Sequence, residues 1–129
     1  MTGVAVRVTV DQASPVPPYE QLRGQLADLI AVGRLGHGDR LPSVRQLASE
    51  LGVANNTVVR AYRELETAGL VGSRRGSGTR VIAPPATTGV REKLAEYAHR
   101  YVTAARQLDA GDEEALAAIR HALASLDRR

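Results

Sequence analysis

The sequence contains no cysteine and no apolar run near the roughly 20 residues that a membrane-spanning helix needs. The first absence excludes disulfides, thiolate metal sites and cysteine nucleophiles, and it fits a cytoplasmic protein. The opening MTGVAVRVTVDQ also lacks the basic segment, apolar core and cleavage site of a secretory signal. We therefore expect neither a signal peptide nor a membrane partner.

The chain has 129 residues, 43% hydrophobic and 24% charged, which suits one globular domain with a modest core and an appendage. Its net charge of +3 is unevenly placed, because residues 1–85 hold ten arginines against seven acids and residues 86–129 are neutral. An anionic partner is therefore expected on the first two thirds. An excess of this size also arises by chance. The sixteen arginines against one lysine carry no weight, since a GC-rich genome has the same effect.

Two patterns open the chain. VAVRVTV, residues 4–10, alternates apolar with polar or charged residues and predicts a short strand. After the turn-rich DQASPVPP, apolar residues recur at spacings of three and four from Tyr19 to Ile30, which predicts an amphipathic helix. The glycines of GRLGHGD end that helix.

The stretch LPSVRQLASELGVANNTVVRAYRELETAGLV, residues 41–71, predicts two helices joined by a tight turn. Ser43 can cap the first helix, and Gln46 would complete a capping box. Gly52 supplies the left-handed turn, and Asn55 can cap the second helix. LVGSR and TRVIA around the glycine-bearing tip RGSG then predict a two-stranded hairpin.

Residues 84–89, PPATTG, predict a linker, and residues 90–129 predict two amphipathic helices, the second capped by Asp112. A helical pair has little core of its own, so its apolar stripes need cover. That cover is either another copy of the chain or the helices themselves and the first domain, and we favour self-association. The dimerisation residues expected are Leu94, Tyr97, Tyr101, Leu108, Leu116, Ile119, Leu123 and Leu126.

The second helix of the pair has a polar start and an apolar inner face, which suits the major groove of B-DNA. That groove is about 12 Å wide and admits one helix. Asn56, Arg60 and Arg63 fall on one face, where asparagine can pair with adenine and arginine with guanine. The hairpin adds Arg74, Arg75 and Arg80 around a slim tip that can approach a sugar-phosphate edge.

Each of these parts also has a purely structural interpretation. Asn55 can be only a cap, the helix arginines can pair with Glu64 or Glu66, and RGSG can be a plain turn. Taken together, the order and spacing favour DNA binding. An enzyme is not expected, because the three histidines are far apart and no nucleophile motif is present. His99 and His121 could meet beside Glu96 and bind a metal, but two surface histidines are the simpler interpretation, so we predict no metal and no cofactor.

The run from Pro17 to Val81 resembles the winged helix-turn-helix domain of GntR-type bacterial transcription regulators. It carries YEQL, GDRLPSVRQLA, LGVxxNTVVRAYRELE, AGLV and RRGSGT in that order, over half the chain. The resemblance implies a mainly α fold with a small β-hairpin wing in residues 1–83, and a homodimer on a two-fold-related operator. With the residues above, the expected DNA-binding set is Ser43, Arg45, Asn55, Asn56, Thr57, Arg60, Arg74, Arg75 and Gly76.

Three positions depart from the family's pattern. His37 replaces a loop proline, which should only loosen a surface turn. Asn55 and Val59 stand where many members carry base-reading arginines, so the operators of those members cannot be transferred. An adenine or a thymine methyl is the contact expected instead.

Only 44 residues follow Pro85, which resembles the YtrA-type subfamily, whose short helical tail serves dimerisation. A small-molecule effector between two tails would change the spacing of the wings. We expect a repressor. The rival hypothesis is an architectural or interaction module that binds DNA weakly without an operator. Only a specific regulator would keep a gap of roughly 10³ or more between its site and random DNA as salt rises.

Overall fold

The computed structural model describes residues 7–127, which form five helices and a two-stranded antiparallel sheet. The elements are α1 Pro18–Ala31, α2 Val44–Leu51, α3 Asn55–Thr67, β1 Val71–Arg74, β2 Gly78–Val81, α4 Val90–Gln107 and α5 Asp112–Asp127. The predicted fold class, mainly α with a small hairpin, is confirmed. The chain divides into two compact units, residues 1–89 and 90–129. Between residues 7 and 127, no helix combines the length and apolar character that crossing a bilayer requires.

The core of the first unit is built from one face of each of its three helices and from the base of the hairpin. α3 packs against both α1 and α2, and β1 follows it into the same core. The largest fully buried side chains are Leu22, Leu26, Leu35, Leu41, Leu47, Val58, Leu65, Val71 and Val81. Because the inner faces of α2 and α3 are used in this core, their polar faces are turned outwards.

The predicted strand at residues 4–10 is wrong where the structure describes it, since residues 7–10 form no strand and residues 4–6 lie outside the described part. Side chains of α1 form hydrogen bonds with the backbone of this segment instead of a partner strand. The Gln25 amide accepts from the Thr9 backbone N–H at 2.9 Å and donates to the Thr9 carbonyl at 2.6 Å. Gln21 does the same for Asp11, at 2.8 and 3.0 Å. The alternation remains visible because Val8 is buried while Thr9 is exposed.

The helix pair α2–α3 begins and turns largely as the sequence predicts. Ser43 caps α2, its Oγ accepting from the Gln46 backbone N–H at 3.1 Å, and Gly52 takes the left-handed conformation with φ 69°. The second half of the capping box is absent, because the Gln46 side chain donates to Glu50 instead. The cap predicted at Asn55 is also wrong: Ala54 is the N-cap of α3 and Asn55 is its first residue.

The hairpin is tied to the segment that precedes α2. Val71 pairs with Val81 at its base and Arg74 with Gly78 near its tip. On the free edge of β2, the Gly38 N–H donates to the Val81 carbonyl at 2.8 Å. Two further bonds follow, from Val81 N–H to the Asp39 carbonyl and from Leu41 N–H to the Thr79 carbonyl, both 2.9 Å. The connection between α1 and α2 therefore covers the free edge of β2 through these bonds and one isolated bridge, between Arg40 and Arg80.

In the second unit, α4 and α5 are joined by a short turn, and a side chain of α4 is hydrogen-bonded to the backbone of α5. The Tyr101 hydroxyl donates to the Ala115 carbonyl at 2.8 Å. The Gly111 N–H donates to the Glu114 carboxylate at 3.1 Å, and α5 starts at Asp112, so the cap predicted at Asp112 lies one residue too late. Large apolar side chains remain exposed on both helices and in the turn between them: Val90, Leu94, Tyr97, Val102, Leu108, Leu116, Ile119, Leu123 and Leu126.

Candidate nucleic-acid interface

The outer face of α3 is polar and open to solvent. With Val58, Ala61, Tyr62 and Leu65 turned into the core, the opposite side of the helix carries the residues predicted to meet DNA. Asn55, Asn56 and Arg63 are exposed, and Thr57 and Val59 are partly buried. Among the described residues, neither asparagine side chain has a hydrogen-bond partner. Their amides are therefore available to base edges at the start of the helix.

Arg60 lies on the same helix, but its guanidinium is already engaged by the protein. The guanidinium carbon lies 3.7 Å from the centroid of the Tyr19 ring at the start of α1, within cation–π distance. Its Nε is 3.6 Å from a carboxylate oxygen of Glu64, one turn along α3. The other Glu64 oxygen is 3.9 Å from Arg23 Nε. Arg60 is thus held to one flank of the face, although its side chain remains 59% exposed.

The start of α2 lies beside α3 and carries the next two predicted residues. Arg45 is exposed, and Ser43 is exposed while its Oγ serves as the helix cap. The position of this turn is fixed from α3, because the Tyr62 hydroxyl donates to the Pro42 carbonyl at 2.7 Å. Burial raises the pKa of Tyr62, so the phenol remains a protonated donor at any ordinary pH.

At the wing, the predicted residues Arg74, Arg75 and Gly76 are all exposed. Gly76 has φ 85°, a conformation that other residues resist, and no described atom lies within 4 Å of the position of an added Cβ. Arg80 has a structural role at the base, since its guanidinium donates to the Gly38 carbonyl at 3.0 Å. The tip is therefore slim and basic, and the base is braced.

Arg40 is the residue of this surface that sequence reasoning missed. A Cβ added to Gly78 would lie 3.0 Å from Arg40 Nε and 3.1 Å from a terminal guanidinium nitrogen, so the arginine lies against the glycine's bare backbone. Arg40 also forms an isolated antiparallel bridge with Arg80. The only sequence signal was a glycine flanking the wing tip, and nothing local connects it to an arginine 38 residues earlier.

The arginines around α2 and the wing are not neutralised by acidic side chains. Within residues 7–127, none of the five arginines that surround α2 and the wing forms an ion pair; these are Arg40, Arg45, Arg74, Arg75 and Arg80. The described residues also contain no group of three or more His, Asp or Glu arranged to hold a metal. The surface offers hydrogen-bond donors and positive charge, which suits a polyanion.

A tight helix pair with a polar outer helix, followed by a braced basic hairpin, defines the winged helix-turn-helix class of DNA-binding proteins. Residues 18–81 match the family described as bacterial regulatory proteins, gntR family. The chain belongs to this family and is a DNA-binding transcription regulator. The relatives found are transcription regulators rather than enzymes.

Two curated relatives match the chain beyond this domain. The HTH-type transcriptional regulator Rv1152 of Mycobacterium tuberculosis is 42% identical over 112 residues, covering 87% of this chain and 90% of the relative. The HTH-type transcriptional repressor YtrA of Bacillus subtilis is 40% identical over 87 residues, covering 67% of each chain. The suggested YtrA-like resemblance is thereby confirmed.

Two solved structures have a similar fold. YtrA from Sulfolobus acidocaldarius, a GntR-family transcription factor, has a TM-score of 0.55 at 34% identity and covers 74% of this chain and 97% of its own. The DNA-binding domain of AraR in complex with operator ORX1 has a TM-score of 0.53 at 26% identity, covering 60% of this chain and 99% of its own.

Proposed function

We propose that this chain is a homodimeric repressor that binds a two-fold-related operator. The start of α3 lies in the major groove, and the wing tip contacts the backbone or the minor groove. The observation that supports this most directly is the pair of unbonded amides, Asn55 and Asn56, at the exposed start of a helix whose inner face is buried. Amide side chains in that place are suited to reading adenine through its paired donor and acceptor.

The remaining residues of the proposed set divide by chemistry. Thr57 suits a thymine methyl or a phosphate, and Ser43 and Arg45 at the start of α2 suit the phosphate backbone. Arg75 and Gly76 form the exposed tip, with Arg74 directly before it. Arg60 keeps a place in the set because its side chain is 59% exposed. Tyr19 covers one face of its guanidinium and Glu64 lies beside its Nε, which leaves the terminal nitrogens for DNA.

The proposed dimer rests on the tail. Leu94 on α4 and Leu126 on α5 are 63% and 61% exposed in the single chain, and Leu108 in the turn between the helices is 80% exposed. Exposed apolar side chains that form a contiguous patch mark an interaction surface. Covering such stripes with those of a second chain removes apolar surface from water. The repressor role is carried over from the Bacillus subtilis relative, which is named a repressor.

A small-molecule effector at the dimer interface is the second part of this proposal. A groove of about 320 Å³ lies between α4 and α5, lined by Tyr101, Val102, Leu116 and Ile119 among others. A ligand that bound there and favoured one arrangement of the two tails would shift the spacing between wings, and operator affinity with it.

The test is to select bound duplexes from a random library and to measure their affinity by fluorescence anisotropy at several salt concentrations. Enrichment of a two-fold-related motif, bound roughly 10³-fold or more tightly than its shuffled copy, is expected. Asn56→Ala should reduce this preference, whereas Arg75→Gln should weaken binding to both duplexes alike. Arg91→Gln, an exposed arginine on α4, is the matched control.

Each other outcome has a definite meaning. Binding without enrichment of any motif would favour the weakly specific architectural module. No binding to any duplex at low salt would contradict the assignment of α3 as a recognition helix. Enrichment of an asymmetric motif would contradict the two-fold-related operator.

A further inference from the structure

The outer face of the wing sheet carries a row of arginines that the predicted DNA-binding set includes only in part. Between the two strands, Gly72 pairs with Arg80 and Gly78 with Arg74. On the other side of β2, Arg40 from the connection between α1 and α2 forms a bridge with Arg80. Directly opposed residues, and those two positions along, project from the same side of a sheet. Arg40, Arg74 and Arg80 therefore share one face, while Val71 and Val81 are buried on the other.

Glycine makes room on this face for the arginine next to the tip. Gly78 has φ 73°, and the place of its missing Cβ is filled by the Arg40 guanidinium, whose three nearest atoms would lie 3.0–3.4 Å from a Cβ. Arg80 extends the other way and donates to the Gly38 carbonyl. The two neighbouring arginines thus diverge, so Arg40 lies nearer the tip and Arg80 nearer the base.

The charge of Arg40 is not used within the protein. Among the described residues its guanidinium has no ion pair or hydrogen bond, and the residue is exposed. A groove of about 480 Å³ on the same hairpin is lined by Arg74, Arg80, Ser73 and Ser77 and by three glycines, Gly38, Gly72 and Gly78, among others. Arg40 does not line this groove itself, but its guanidinium lies against Gly78, which does. No acidic residue lines this groove, so donors and positive charge face solvent together.

We propose, resting on the DNA-binding function above, that Arg40 binds a phosphate group of the DNA strand that passes the outer face of the wing. Because Gly78 has no Cβ, the guanidinium of Arg40 can lie directly against the backbone of the hairpin. The contact is to the backbone, because Arg40 lies at the side of the hairpin while Arg75 and Gly76 form its tip. It therefore adds affinity and charge neutralisation without reading sequence.

The salt dependence of binding tests this proposal. For the full-length chain, the logarithm of the binding constant is measured against the logarithm of salt concentration, on the selected duplex and on its shuffled copy. Each phosphate contact contributes about 0.9 to the slope. Arg40→Gln should make the slope shallower by about 0.9 per protomer bound and weaken binding to both duplexes by the same factor. Arg40→Lys, which keeps the charge, should restore the slope.

Arg34→Gln is the matched control, since Arg34 is an exposed arginine of the same connection and has no described ion pair. Its slope should equal that of the unaltered chain, and the melting temperature of Arg40→Gln should be unchanged. An unaltered slope in Arg40→Gln, or a loss confined to the selected duplex, would overturn the proposal. If the unaltered chain bound no duplex, the failure would instead be that of the proposed function.

Discussion

The hydroxyl of Tyr62 is a sensitive point of the first unit, because it joins the two helices that form the helix-turn-helix. It leaves the buried side of α3 and donates to the carbonyl of Pro42, immediately before the cap of α2. Tyr62 is only 7% exposed. Tyr62→Phe deletes this donor without disturbing the packing of the ring, and it leaves the Pro42 carbonyl without the phenol.

The expected loss in the free energy of unfolding follows from this hydrogen bond alone. A net contribution of about 0.5–1.5 kcal/mol is typical, and leaving a partly buried acceptor unpaired brings the free-energy loss to about 1–2 kcal/mol. In a unit of this size, each kcal/mol lowers the melting temperature by about 4–8 °C. DNA binding should weaken as well, because the turn that presents Ser43 and Arg45 is no longer fixed to α3.

Thermal and denaturant unfolding followed by circular dichroism would measure this loss. Tyr19→Phe is the matched control: it removes a hydroxyl that has no described hydrogen bond and keeps the ring beneath Arg60. It should melt within about 0.5 kcal/mol of the unaltered chain. Equal melting temperatures for Tyr62→Phe and Tyr19→Phe would refute the reasoning.

Three further perturbations test other parts of the molecule. Leu123→Asp places a carboxylate on an exposed apolar stripe of the tail and should give monomers that bind the full operator poorly; light scattering that still showed a dimer would contradict the tail assignment. Tyr19→Leu and Arg60→Gln in a double-mutant cycle should show a coupling of about 0.5–1 kcal/mol, and none would contradict the stack. The hydrogen bond from Arg23 lowers the pKa of Glu20 below its ordinary 4.5. The pairing therefore stabilises the fold fully above that pH, and this stabilisation is lost as the pH falls through the lowered pKa. The melting temperatures of Glu20→Gln and the unaltered chain should therefore converge in acid, and a constant difference would argue against this linkage.

Local chemistry in the sequence was enough to predict the helix pair and the hairpin. Ser43 and Gly52 carry signals that act within a few residues, and both are used in the structure as predicted. The predicted start of α3 is one residue too late because Asn55 is a polar cap candidate, whereas in the structure the apolar Ala54 is the N-cap, without any side-chain hydrogen bond, and Asn55 is the first helical residue. Such boundaries depend on a one-residue shift that propensity does not resolve.

Contacts between residues that are distant in the sequence could not be predicted from local patterns. The strand pattern at residues 4–10 gave no sign that glutamine side chains of α1 would take the place of a partner strand. The exposed face of α3 correctly included Arg60, but its stacking on Tyr19 joins residues 41 positions apart. Arg40 was overlooked for the same reason, since only the pairing of its segment with β2 brings it beside Gly78.

The three backbone hydrogen bonds between the segment Gly38–Leu41 and β2 make the wing continuous with the turn that starts α2. The hairpin and the helix pair are therefore held at a fixed distance from each other. In the proposed complex, a duplex whose grooves match the distance between the wing and α3 is bound without distortion. A duplex with a wider or narrower groove must deform first. The domain would thus discriminate among sequences by their stiffness and groove shape, at base pairs that no side chain touches.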